Sequence, residues 1–252
     1  MSRNPIHTVL SSIRAHRVRA LLMGGQACVL YGAAEFSRDT DFAILADAAN
    51  VARLRRALGD LRAEAIAVPP FELKFLRRGH AIHFRCRHPD AAGMRVDIMS
   101  RMRGVNAFPH LWRRRTTLQL PDGSTCDLLS LPDLVQAKKT QQDKDWPMIR
   151  RLVEAHYFQH RETPTAARIA FWLRELRTSA LLLEVSQSHP NLCRRLVRKR
   201  PLLVAALSNA GDAMERGLRD EETAERERDK RYWVPLRKEL ETLRRSHQTR
   251  TR

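Results

Sequence analysis

The stretch ALLMGGQACVLYGAAEFSRDTDFAIL, residues 20–45, decides the fold. Ala20 to Met23 reads as a short apolar strand, Gly24 and Gly25 as a turn, and Gln26 to Tyr31 as an apolar helix. Asp39 and Asp41 then enter a second strand. Side chains alternate faces along a strand, so the two carboxylates point the same way, about 6–7 Å apart. No cation stands between them in sequence, and a divalent metal readily offsets the repulsion of such a pair. A third acid, Asp97, lies in the alternating apolar segment MRVDIM, residues 94–99. The glycines let backbone approach a ligand closely, and the free N–H groups of a helix start favour phosphate. Strand, glycine turn, helix and carboxylate strand together bring phosphate donors and metal ligands to one rim.

Working outward, residues 5–16 read as an opening helix and Asn50 to Leu61 as an amphipathic one, with Val51, Leu54, Leu58 and Leu61 at helical spacing. Ala81 to Cys86 alternates as a strand and forms a hairpin with the Asp97 strand. TTLQL and STCDLL flank a Pro121-Asp122-Gly123 turn as a second hairpin. Ser130 is placed as an N-cap, with Pro132 and Asp133 in the first turn of a helix that carries Lys138 and Lys139. Asp145 opens the next helix. Beyond residue 160 the pattern is helical only: Ala166 to Val185, Leu192 to Ala210, and a charged stretch after Gly211 that ends near Arg245. The expected organisation is therefore a domain over 1–158, a helical domain over 159–245, and a disordered tail, 246–252.

The chain has 252 residues, 43% of them hydrophobic, enough for a packed core. No run is long and apolar enough for a membrane span, and the N-terminus lacks the marks of a signal peptide, so the expectation is a cytoplasmic protein without a membrane partner. Cys28, Cys86, Cys126 and Cys193 are scattered singly, which argues for reduced fillers over zinc ligands or a disulfide framework. His80, His83 and His88 cluster loosely but match no standard ligand spacing. The net charge of +18 attracts polyanions and points to RNA, although arginine-rich composition also follows from a GC-rich genome. Arg113, Arg114 and Arg115, with Arg194, Arg195, Arg198, Lys199 and Arg200, are candidates for tracking phosphates. Trp112, Trp146, Trp172 and Trp233 are too dispersed for a stacking platform and read as core.

Glycine pair, two acids one residue apart and a third acid on a later strand resemble the DNA polymerase beta type nucleotidyltransferase superfamily. The branch most similar is that of the bacterial AbiEii-like abortive-infection toxins. EFSRDTDF keeps both acids of that branch's motif but has Glu35 where an arginine is usual and Thr40 where an apolar residue is usual. LLSLPDLVQAKKTQQDKDWPMIRRLVE, residues 128–154, is similar to the family segment that carries a lysine and a later acid, here Lys138 or Lys139 and Asp145. The likeness covers roughly residues 18–155.

The resemblance implies an α+β fold: a mixed nucleotidyltransferase-type sheet with flanking helices, followed by a helical C-terminal region. It implies a magnesium-dependent enzyme that moves a nucleoside monophosphate from a nucleoside triphosphate to an acceptor hydroxyl, here one on RNA such as a transfer RNA end. Asp39, Asp41 and Asp97 would hold two Mg²⁺ ions. Gly24 and Gly25 would cradle the phosphates, helped by Lys138 or Lys139; Gly25 replaces the family's usual serine, so a side-chain contact to phosphate is absent or comes from Gln26. Acceptors such as an antibiotic or a protein hydroxyl use the same chemistry, and a toxin would have an antitoxin partner. A different class is a non-catalytic basic RNA-binding protein, in which Asp39 is a turn residue, Asp41 a cap, Asp97 an edge-strand charge, and the lysines solvate a helix.

Overall fold

The structure, a computed structural model, describes residues 5–250, with side chains as far as residue 246. By backbone packing the chain divides into two units. Among the described residues the first holds 5–30, 34–137 and 232–250, and the second 31–33 and 138–231. The first unit runs α1 (Pro5–Ala15), β1 (Ala20–Met23), α2 (Gly24–Leu30), β2 (Asp39–Ile44), α3 (Ala48–Asp60), β3 (Glu64–Ala65), α4 (Leu73–Arg78), β4 (Ile82–Arg85), β5 (Arg95–Met99), α5 (Phe108–Arg113), β6 (Thr116–Gln119), β7 (Thr125–Leu128) and the start of α6 (Leu131–Lys138). Its strands form one mixed sheet in the order β3-β4-β5-β2-β1-β7-β6. The fold class is α+β, as the sequence led us to expect.

Local chemistry explains why the elements start where they do. Asp47 caps α3, its side chain accepting from the Asn50 N–H at 2.6 Å, a contact worth about 1 kcal/mol. Asn50 is fully buried and satisfied: its amide donates to the carbonyls of Arg19 and Leu45 and accepts the N–H of Arg19. It thereby ties the entrance of β1 to the exit of β2. Ser130 caps α6, accepting from the Asp133 N–H and donating to the Asp133 carboxylate. Leu22, Phe42, Ile44, Val96 and Ile98 share one face of the central strands and are buried in the core.

The second unit holds α7 (Asp145–His160), α8 (Ala166–Glu175), α9 (Ser179–Ser188), α10 (Pro190–Leu196), α11 (Leu203–Leu207) and residues 211–231 of α12 (Gly211–Arg250). Two expected helices are each split in two. The first breaks at Leu176, whose backbone is extended, because buried Arg200 takes the carbonyls of Leu173 and Leu176 that a continuing helix would use. The second breaks at Pro201, which has no N–H to give and disfavours a helical residue before it. The backbone of the expected tail is described to Arg250, as the end of α12, and residues 251 and 252 lie outside the described residues. Among the described residues no helix is long and apolar enough to cross a membrane. The four cysteines are free and buried, and burial pushes the Cys86 thiol up to about 11 and the Cys126 thiol up to about 12. At neutral pH such thiols are protonated and unreactive.

Candidate active site

Strand β2 alternates as its sequence demands: Thr40 and Phe42 are buried while Asp39 and Asp41 keep partial exposure on the other face. β5 runs parallel to β2, and its register sets Asp97 beside Asp41 and Arg95 beside Asp39. Neighbours in register share a face, so the three acids and Arg95 line one side of two adjacent central strands. Antiparallel β4 pairs His83 with Asp97 and adds an imidazole to that side.

The glycine pair, expected as a turn before the helix, instead forms the first two residues of α2 and lies against the same acids. Met23, the last residue of β1, pairs with Asp41, and Gly24 follows at φ +67. A Cβ built on Gly24 would fall 1.8 Å from Oδ2 of Asp41, so only glycine fits between turn and carboxylate. Gly25 packs on Ser37, whose hydroxyl would lie 2.6 Å from an added Cβ. Gln26 is buried, and its Oε1 has no hydrogen-bond partner among the described residues. An amide oxygen left this way costs free energy unless a ligand satisfies it.

Asp97 is the best defined of the acids. Arg95 grips it through two hydrogen bonds, Nε to Oδ1 and Nη2 to Oδ2, both 2.8 Å. His83 Nδ1 lies 2.8 Å from Oδ1. Burial pushes the Asp97 carboxyl up, but the hydrogen bonds from His83 and Arg95 outweigh it and hold the acid below its ordinary range. Arg95 is held more firmly protonated, first by its bond to Asp97 and then by the negative charges of Asp97, Asp39 and Asp41. The guanidinium therefore serves as counter-ion to all three acids. Among the described residues no group of three or more Asp, Glu, His or Cys side chains is close enough to hold one ion. Both oxygens of Asp97 are engaged by protein groups, Oδ1 by Arg95 and His83 and Oδ2 by Arg95. As to fit, carboxylate oxygens are the right donors for magnesium, and Asp39 and Asp41 share the required face.

Lys138 and Lys139 belong to the second unit. The Lys138 ammonium lies 2.7 Å from buried Asp145, and that of Lys139 lies 2.8 Å from Glu175. Thr140 donates to the same Asp145 carboxylate, so this acid orders the turn between α6 and α7. The three clustered histidines do separate jobs: His83 touches Asp97, buried His80 meets Glu239 at 2.8 Å, and His88 caps the short turn at residues 89–91. In the basic clusters Arg114 and Arg115 are bound to Asp133 and Asp127 and buried Arg200 to Glu221, leaving Arg113, Arg194, Arg195, Arg198 and Lys199 exposed. Trp146 and Trp172 are core residues, and Trp112 and Trp233 are half-buried.

Arg95 and His83 were missed from the sequence as parts of this site. Arg95 was within reach, because two residues before Asp97 on a strand means the same face. His83 has no such local signal and depends on the pairing of β4 with β5. No protein-family model and no curated protein matches the chain.

Proposed function

We propose that the chain is a metal-dependent nucleotidyltransferase that moves a nucleoside monophosphate from a nucleoside triphosphate to a hydroxyl on RNA. One observation carries this reading: Asp39, Asp41 and Asp97 share one face of paired strands, with a glycine of positive φ pressed against Asp41. Half-buried acids side by side are costly without cationic partners; Arg95 is one such partner, and a divalent ion would be a second. Bound magnesium would lower the pKa of the attacking hydroxyl and neutralise the leaving pyrophosphate. Asp39 and Asp41 are the residues to hold it, and Asp97, freed from Arg95, is the group to accept the proton of the hydroxyl. The Gly24-Gly25 backbone and the Gln26 amide face the phosphates. Lys138 or Lys139 belongs to the same proposal through the family resemblance, although each is already neutralised by an acid. Four free, buried cysteines suit a reducing cytoplasm, and a toxin role with an antitoxin partner is the biological form that the resemblance favours.

The non-catalytic RNA-binding reading has one observation in its favour, the double grip of Arg95 on Asp97, which by itself satisfies that acid. Incubating the protein with Mg²⁺, total RNA and each of the four nucleoside triphosphates labelled at the α phosphate separates the two. The enzyme reading expects RNase-sensitive label that the double variant Asp39→Asn/Asp41→Asn abolishes. RNA binding without transfer, or equal transfer by both proteins, would sink it.

A further inference from the structure

A second feature of the first unit lies beyond the acids: a groove of about 780 Å³ between α4 and residues 235–239 of α12. Lys74, Arg77 and Arg78 line it from α4, where spacings of three and four residues put side chains on one side of a helix. Arg101, from the turn after β5, adds a fourth cation, and Leu73 and Leu236 give the groove an apolar wall.

The cations stand on a fixed support. Gly79 ends α4 at φ +107, with its N–H on the carbonyls of Phe75 and Leu76. The Ser100 hydroxyl donates to the Leu76 carbonyl at 2.5 Å, and Arg101 Nη1 to that of Arg77 at 3.0 Å. Glu239, the acid in the lining, is already taken by Arg78 and by buried His80. Arg77 and Arg101 meet only backbone carbonyls among the described residues, those of Ala46 and Arg77. A guanidinium carries five N–H donors, so most of theirs are open to a ligand. Lys74 lies 2.7 Å from Glu72 at an exposed position, a pair weak enough to exchange for another anion.

We infer that this groove binds the backbone of a single-stranded RNA. The inference rests on the proposed function for the choice of RNA as acceptor and goes beyond it in assigning the surface. Phosphates suit the unneutralised guanidinium groups, and base faces suit the Leu73 and Leu236 wall. Arg101 stands four residues beyond Asp97, about 13 Å or less along the chain at strand rise.

The test measures binding of the full-length protein to a labelled single-stranded RNA of about 12 nucleotides, without nucleotide, across a range of salt. Lys74→Ala/Arg77→Ala/Arg101→Ala is expected to bind about tenfold or more weaker near 0.1 M salt, with a slope of log K against log salt shallower by about 2. Lys74→Ala alone removes an exposed side chain and is expected to lower the slope by about 0.7, which keeps the test decisive if the triple variant folds poorly. Arg194→Ala/Arg195→Ala/Arg198→Ala removes the same charge from the second unit and is expected to keep the wild-type slope. Equal losses in both triple variants, or unchanged RNA binding in the groove variants, would overturn the inference. So would loss of binding to polyglutamate in place of RNA, which would assign the groove to an acidic protein. Slope differences that persist without nucleotidyl transfer sustain the groove and refute the enzyme, whereas transfer with an unchanged KM for RNA in Lys74→Ala/Arg77→Ala/Arg101→Ala does the reverse.

Discussion

Two adjacent glycines make the contact between turn and carboxylate measurable. In Gly24→Ala the new Cβ would lie 1.8, 2.5 and 2.8 Å from Oδ2, Cγ and Cβ of Asp41. The last of these atoms is fixed to β2, so side-chain rotation does not relieve the clash. Overpacking of this kind costs about 1–3 kcal/mol, and alanine at φ +67 adds about 1–2 kcal/mol. The expected loss is about 2–5 kcal/mol in urea unfolding, with nucleotidyl transfer lost as Asp41 is displaced. Gly25→Ala is the control. Its Cβ would meet the Ser37 hydroxyl at 2.6 Å and the Ser37 Cβ at 3.1 Å, and turning the hydroxyl aside gives up its bond to the Asp39 carbonyl; against that, alanine is favoured over glycine inside a helix by about 1 kcal/mol. Its stability should stay within about 1 kcal/mol of wild type. Equal effects of the two substitutions, or a Gly24→Ala protein as stable as wild type, would refute the packing of the turn on Asp41.

Arg95→Ala should tighten Mn²⁺ binding measured by titration calorimetry, since the competing cation on Asp97 is gone, and unchanged or weaker binding would show that the clamp is irrelevant to the metal. The lowered pKa of Asp97 contributes stability that is complete above its unfolded value near 3.8 and lost as pH falls through the folded value. Removing Arg95 should shrink that acid limb of the unfolding curve. In the second unit, burial and then the charges of His160 and Arg168 bring the His156 pKa down to about 4 from 6.5, and the Trp172 indole donates to its Nδ1 at 2.9 Å. Its contribution is therefore present above pH 6.5 and falls, by up to about 3 kcal/mol, as pH drops toward 4; a His156→Gln variant with the same pH slope between 6.5 and 4 would contradict this. Phe36, 67% exposed in the loop before Asp39 and near the Arg38 guanidinium, is placed to stack on a base. Phe36→Ala should change stability by less than about 0.5 kcal/mol yet raise the KM for nucleotide or RNA about fivefold or more, and an unchanged KM would make Phe36 a bystander.

The central sheet was legible because β4 and β5 alternate, β1 is a short apolar run ended by a glycine pair, and the link between β6 and β7 carries proline, aspartate and glycine. The common face of Asp39 and Asp41 follows from period two alone, whereas the position of Asp97 beside Asp41 needs the parallel pairing of β2 with β5. Short α4 and α5 escaped notice since six residues show little periodicity; α4 is held by Ser100 and Arg101, far away in sequence. Arg200 shows the limit most clearly. In sequence it belongs to a basic run that suggests phosphate, but in the fold it is buried on Glu221 and ends α8. Charge in a sequence does not say which charges are already neutralised, and that depends on partners brought in by packing.

The central claim, nucleotidyl transfer at the carboxylate face, is tested most directly by the position of the label. Parallel reactions contain RNA, Mg²⁺ and a nucleoside triphosphate labelled at either the α or the γ phosphate. Label should enter RNA only from the α position, and γ label should leave as pyrophosphate. Transfer of the γ phosphate to RNA, or no transfer of either label by a folded protein that binds RNA and nucleotide, would contradict the account.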